Sequence, residues 1–86
     1  MDFGEMLKGL KLGNYLARRG WNGKGMYLFL VELYTMPAGC ELLPGEPEEG
    51  FELAPFIAMK TADGKVVPWL ASQTDVLAED WELFGG

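Results

Sequence analysis

Phe3, Met6, Leu7 and Leu10 recur at the i, i+3, i+4, i+7 spacing that gathers apolar side chains on one side of a helix. Asp2 and Glu5 stand three residues apart just before and inside that run, an acidic capping pair. Lys8 and Lys11 fall in its last turns, where cations suit the negative end of the dipole, and Gly13 is a natural stop. The pattern predicts a helix over residues 3–12. The period then changes to two. Residues 14–19 read as a short strand, with Tyr15 and Ala17 alternating with Leu16 and Arg18. Residues 20–25, GWNGKG, form a glycine-rich loop carrying the Asn22-Gly23 turn signal. Residues 26–33, MYLFLVEL, are apolar on both faces at their centre. That predicts a central strand, or one whose second face meets another subunit.

Residues 35–55 break the alternation. Pro37, Pro44, Pro47 and Pro55 interrupt regular structure, and Glu41, Glu46, Glu48, Glu49 and Glu52 make the stretch acidic. It reads as a long solvated loop. Strands are expected again at 56–61 and 65–70, joined by a tight turn at Asp63-Gly64, with Pro68 placing the second at an edge or a bulge. A helical turn at 74–78 and a last strand at 81–84 complete the chain. The class expected is α+β, an N-terminal helix packed on an antiparallel sheet, in one domain spanning 1–86.

Composition changes the picture in three ways. Of the 86 residues, 49% are hydrophobic and 13% aromatic, which leaves apolar side chains for a subunit contact beyond one small core. The net charge of −6 sets the chain against DNA, RNA and anionic membranes as partners. Cys40 is the single cysteine, so no disulfide closes within the chain, in keeping with a reducing compartment. Met1 leads straight into the helical pattern with no signal peptide, and the longest apolar run, 26–31, is too short to span a bilayer.

Reactive chemistry is sparse. The chain has no histidine, the usual base near neutral pH and the commonest metal ligand. Cys40 has no cationic neighbour to stabilise a thiolate. No metal-ligand spacing or phosphate-loop fingerprint is present. The expectation is therefore no catalytic residue, no metal, no cofactor and no enzyme activity.

Binding chemistry is better supplied. Arg18, Arg19 and Lys24 are three of the seven cations, and they surround Trp21, Asn22 and Gly23. Arginine can hold a phosphate through two parallel hydrogen bonds. A tryptophan stacked on a base is worth about 1–3 kcal/mol. Asn22 offers a donor and an acceptor, and glycine lets a ligand approach the backbone. The same residues also suit a plain hairpin loop with a core tryptophan and solvated cations. A second stretch runs from Pro68-Trp69 into Ser72-Gln73-Thr74-Asp75. Ser72 and Asp75 match a capping box at a helix start, which is either an anion seat or a cap and nothing more.

ARRGWNGKGMYLFLV (17–31) and MKTADGKVVPWLASQTDVLAEDWEL (59–83), with MDFGEMLKGLKLG (1–13), resemble the Thoeris anti-defence 2 family of small phage proteins. The likeness covers nearly the whole chain outside 34–55, which varies within that family. It implies a phage protein acting in the cytoplasm of the infected bacterium against the Thoeris system. There a TIR-domain enzyme makes glycocyclic ADP-ribose, and this signal activates a killing effector. Family members bind the signal and hold it uncleaved, as homotetramers whose pockets lie between subunits, and some also bind cyclic dinucleotides. On this resemblance the ligand-binding positions expected are Arg18, Arg19, Trp21, Asn22, Gly23, Lys24, Met26, Trp69, Ser72, Gln73, Thr74 and Asp75. Chemical logic gives the adenine to Trp21 or Trp69. The pyrophosphate falls to Arg18, Arg19, Lys24 or the backbone N–H groups near Ser72–Asp75, and ribose hydroxyls to Asn22 and Asp75. A capping Asp75 would repel a phosphate at the same helix start, so those two roles compete. The alternative is an acidic interaction module that blocks a host defence protein directly, through its charge and the glutamate-rich 41–52 stretch.

Overall fold

The computed structural model describes residues 1–21, 25–32, 34–36 and 51–85. Helix α1 (Phe3–Lys11) begins at a full capping box: the Asp2 carboxylate accepts from the Glu5 N–H and the Glu5 carboxylate from the Asp2 N–H, at 2.8 and 2.9 Å. It closes at Leu12, and Gly13 follows at φ +90°, a left-handed conformation that a side chain would resist.

Five antiparallel strands make the main sheet: β1 (Leu16–Arg18), β2 (Tyr27–Val31), β5 (Phe56–Lys60), β6 (Val66–Pro68) and β7 (Trp81–Leu83), in the order β6-β5-β2-β1-β7. The strand that is apolar on both faces, β2, is the central one, as its pattern predicts. Pro68 sits in the edge strand β6, where its missing N–H costs no ladder bond on the open side. Two short strands, β3 (Tyr34–Met36) and β4 (Phe51–Leu53), form a separate ribbon. Their pairing keeps the register of β2 with β5, so the two pairs are one long hairpin with an interruption. Continued across the gap, that register sets Pro55 opposite Glu32, and proline cannot donate to the ladder there. The expected loop over 35–55 is thus corrected at 35–36 and 51–53, which are strand; residues 37–50 between them lie outside the described residues.

Met6 and Leu10 of α1 meet Leu16, Leu28 and Trp81 of the sheet in a fully buried cluster, with Phe3, Trp21, Ile57, Met59 and Trp69 packed around it. Gly9 makes this close approach possible, since a Cβ there would stand 3.1 Å from a Leu16 methyl. The alternate residues of β1 and β2 face the other side of the sheet. Tyr27 and Phe29 point there, with Tyr15 and Phe84: Tyr15 stacks on Tyr27 at 4.8 Å and Phe84 lies 4.5 Å from Tyr27. α1 lies on the opposite face, and no described helix covers these aromatics. No described helix is long and apolar enough to cross a membrane.

Candidate functional site

The two stretches singled out in the sequence meet around Trp81. Strand β1 ends at Arg18 and passes into a 3₁₀ turn, Arg19–Trp21. Helix α2 (Gln73–Leu77) begins at Ser72 and is followed by β7, which starts at Trp81. Antiparallel pairing sets Trp81 directly opposite Arg18. The Trp81 ring is 1% exposed. Trp21 and Trp69 approach it edge to face, at 5.7 and 5.9 Å between centroids. Its indole N–H donates to the Asp75 carbonyl at 3.1 Å. Trp69 also lies 6.4 Å from Phe3, roughly parallel to it. The two tryptophans proposed for base stacking are therefore half-buried at the edge of one aromatic core, each with one side against a buried ring.

Below them lies a charge cluster. Arg18 donates from Nε to Asp80 Oδ1 at 2.9 Å and from Nη1 to Asp75 Oδ1 at 3.0 Å. The second oxygen of Asp80 accepts from the Gly20 N–H at 3.2 Å, and the Asp80 carbonyl accepts from the Arg19 N–H at 3.0 Å. The second oxygen of Asp75 accepts from the Ser72 N–H and hydroxyl at 2.9 and 2.8 Å, while Ser72 Oγ accepts in turn from the Asp75 N–H at 3.1 Å. The capping box read from the sequence is complete. The capping carboxylate of Asp75 stands at the start of this five-residue helix, where its negative charge opposes a phosphate.

Arg19 is largely exposed and stands 3.6 Å from Glu82 across the strand pair. Such a surface pair contributes little to stability, so its guanidinium is available to a ligand at small cost. Ser72, Gln73 and Thr74 are exposed, Met26 is half-buried before β2, and Asn22, Gly23 and Lys24 lie outside the described residues. Asp80 was not singled out by sequence reasoning. Only the pairing of β1 with β7 brings it beside Arg18, 62 residues away.

The ionisation of these groups follows from the contacts. The bond from Arg18 is the largest influence on Asp80 and, with the Gly20 N–H, outweighs burial to hold its pKa below the usual carboxylate range. At Asp75 burial is the largest influence and favours the neutral form, but the Ser72 and Arg18 bonds together overcome it and the pKa is again lowered. A lowered pKa in the folded state means stability that is present above the unfolded carboxylate value of about 4 and is lost as pH falls through the folded value. The denaturation midpoint is thus expected to hold from pH 7 to 5 and to fall below pH 4. A midpoint at pH 3 equal to that at pH 7 would contradict the cluster.

A profile of the Thoeris anti-defense 2-like domain matches residues 1–84. The chain is also 45% identical over 83 residues to "Thoeris anti-defense 2" of Bacillus phage SP01, covering 96% of this chain and 93% of that one. Both matches run through α1, the 3₁₀ turn, α2 and β7, the elements that converge on Trp81. The chain belongs to the Thoeris anti-defense 2-like family.

Proposed function

We propose that this protein is a phage anti-defence factor that binds and sequesters a cyclic ADP-ribose-type signal, glycocyclic ADP-ribose, in the cytoplasm of the infected bacterium, without cleaving it. The observation that carries this reading is the family membership, together with the convergence of the 18–21 and 69–75 segments on one aromatic edge. Half-buried Trp21 and Trp69 supply flat apolar surface for an adenine. Arg19, with Lys24 of the adjoining loop, supplies cations for the pyrophosphate, and Asn22, Gln73 and Thr74 supply polar groups for ribose. Holding a ligand intact requires no general base, and the chain has no histidine.

The proposed assembly is a homotetramer with its pockets between subunits. Its support is the surface that one copy leaves uncovered. Tyr15 is half exposed on the aromatic far face of the sheet, and Val66, Leu70 and Leu77 are exposed at 60%, 91% and 77%. A monomer of this size gains stability by burying such groups against another copy. Sequestration also demands tight binding, with Kd at or below about 1 nM, or about −12 kcal/mol. A site walled by two chains can exclude the water that weakens polar contacts.

The test is calorimetric titration with glycocyclic ADP-ribose, followed by heating the complex and chromatography of what is released. Nanomolar binding with unchanged ligand recovered is the expected result. A changed product would make the protein an enzyme. Absence of heat with this ligand and with a panel of cyclic dinucleotides would favour direct inhibition of a host protein, for which the net charge of −6 is the supporting observation.

A further inference from the structure

We infer that Arg18 is a positioning residue: its guanidinium, shared between Asp75 and Asp80, locks the Arg19–Trp21 turn to the segment from Ser72 to Trp81, so that the two act as one binding face. The inference rests on the sequestration reading for its functional half, and on geometry alone for the lock itself.

The geometry is that of a hub. Arg18 is the last residue of β1, immediately before the turn that carries Trp21. Two of its nitrogens are committed to two carboxylates that lie 57 and 62 residues away in the chain. Each carboxylate uses its other oxygen to hold backbone: Asp75 holds the start of α2 at Ser72, and Asp80 holds the turn at Gly20. Losing one member therefore releases more than one bond. The planar fork of arginine meets both acceptors at once, which the point charge of lysine does less well. The three side chains are 15–30% exposed, so their attraction is screened less than that of a surface pair. Trp21 closes the turn and Trp69 precedes α2, so the relative placement of the two rings depends on this junction.

A ligand contact and a positioning role predict opposite results for Asp80. If Arg18 gripped the pyrophosphate itself, removing Asp80 would free its guanidinium and leave binding unchanged or tighter. If Arg18 positions, removing either partner weakens binding, and removing both costs no more than the worse single change. The experiment is a double-mutant cycle of Arg18→Gln and Asp80→Asn, each variant titrated with glycocyclic ADP-ribose well below its thermal midpoint. Backbone amide exchange at Gly20 and Trp21 is measured on the ligand-free proteins.

The expected result is a loss of affinity of roughly tenfold or more in both single variants, a double variant no weaker than the worse single, and amide exchange at Gly20 and Trp21 faster by about tenfold in each. Undiminished affinity in Asp80→Asn beside a loss in Arg18→Gln would overturn the positioning role. Unchanged amide exchange in Asp80→Asn would overturn the lock, whatever the ligand. Failure of the parent protein to bind the probe would sink the sequestration reading, and with it the functional half of the inference, while the exchange data still decide the lock.

Discussion

Replacing Trp81 by alanine is expected to bring the protein close to unfolding. The ring is 1% exposed and touches Phe3, Trp21 and Trp69, and its N–H holds the backbone of α2 at Asp75. Truncating a buried tryptophan costs about 3–5 kcal/mol. A chain of this length has total stability on the order of 4–13 kcal/mol at ~0.05–0.15 kcal/mol per residue. The substitution removes much of that margin, and at roughly 4–8 °C per kcal/mol the thermal midpoint should fall by about 15 °C or more. Melts of parent and variant at one fixed protein concentration check this, since assembly makes the midpoint depend on concentration. A fall of less than about 5 °C would mean that Trp81 is not the keystone between α1, α2 and the sheet.

Trp21→Ala should separate binding from folding. Trp21 is half-buried, with its edge contact to Trp81 on one side. Its removal is expected to cost about 1–2 kcal/mol of stability from lost apolar burial. Affinity for glycocyclic ADP-ribose should fall by roughly 5- to 150-fold, the equivalent of about 1–3 kcal/mol of stacking. Trp21→Phe keeps a flat ring and should retain the fold and part of the affinity. Calorimetry on both variants, with near-ultraviolet circular dichroism as the fold control, reads the two effects separately. Unaltered affinity in a folded Trp21→Ala protein would remove Trp21 from the site. Collapse of the fold in both variants would make it a core residue and support the plainer reading of the loop.

Much of the fold was legible in the residues because its causes are local. The i, i+3, i+4 apolar run with Asp2 and Glu5 dictates α1 and its start, and both capping boxes follow from side chains reaching their own backbone three residues away. The two-sided apolar character of 27–31 marks the central strand, and Pro68 marks the edge. The 34–36 and 51–53 strands were not legible. Proline and glutamate dominate that stretch, and its pairing is an extension of the β2–β5 register, which local composition does not express.

The candidate site divides in the same way. From the sequence alone came the family, the two polar stretches, the absence of histidine and the cap at Ser72 with Asp75. Tertiary structure decided which of those residues meet. Arg18 and Asp75, two of the positions expected to bind a ligand, bond to each other, and Asp80 joins them only because β1 pairs with β7. Trp81, which the sequence offered as one strand residue among several, is the ring on which Trp21 and Trp69 converge. The reason is physical. Helix periodicity and caps are set by neighbours within four residues, whereas an ion pair or a ring contact depends on which distant strands share a hydrogen-bond ladder, and that is fixed only when the whole sheet closes over its core.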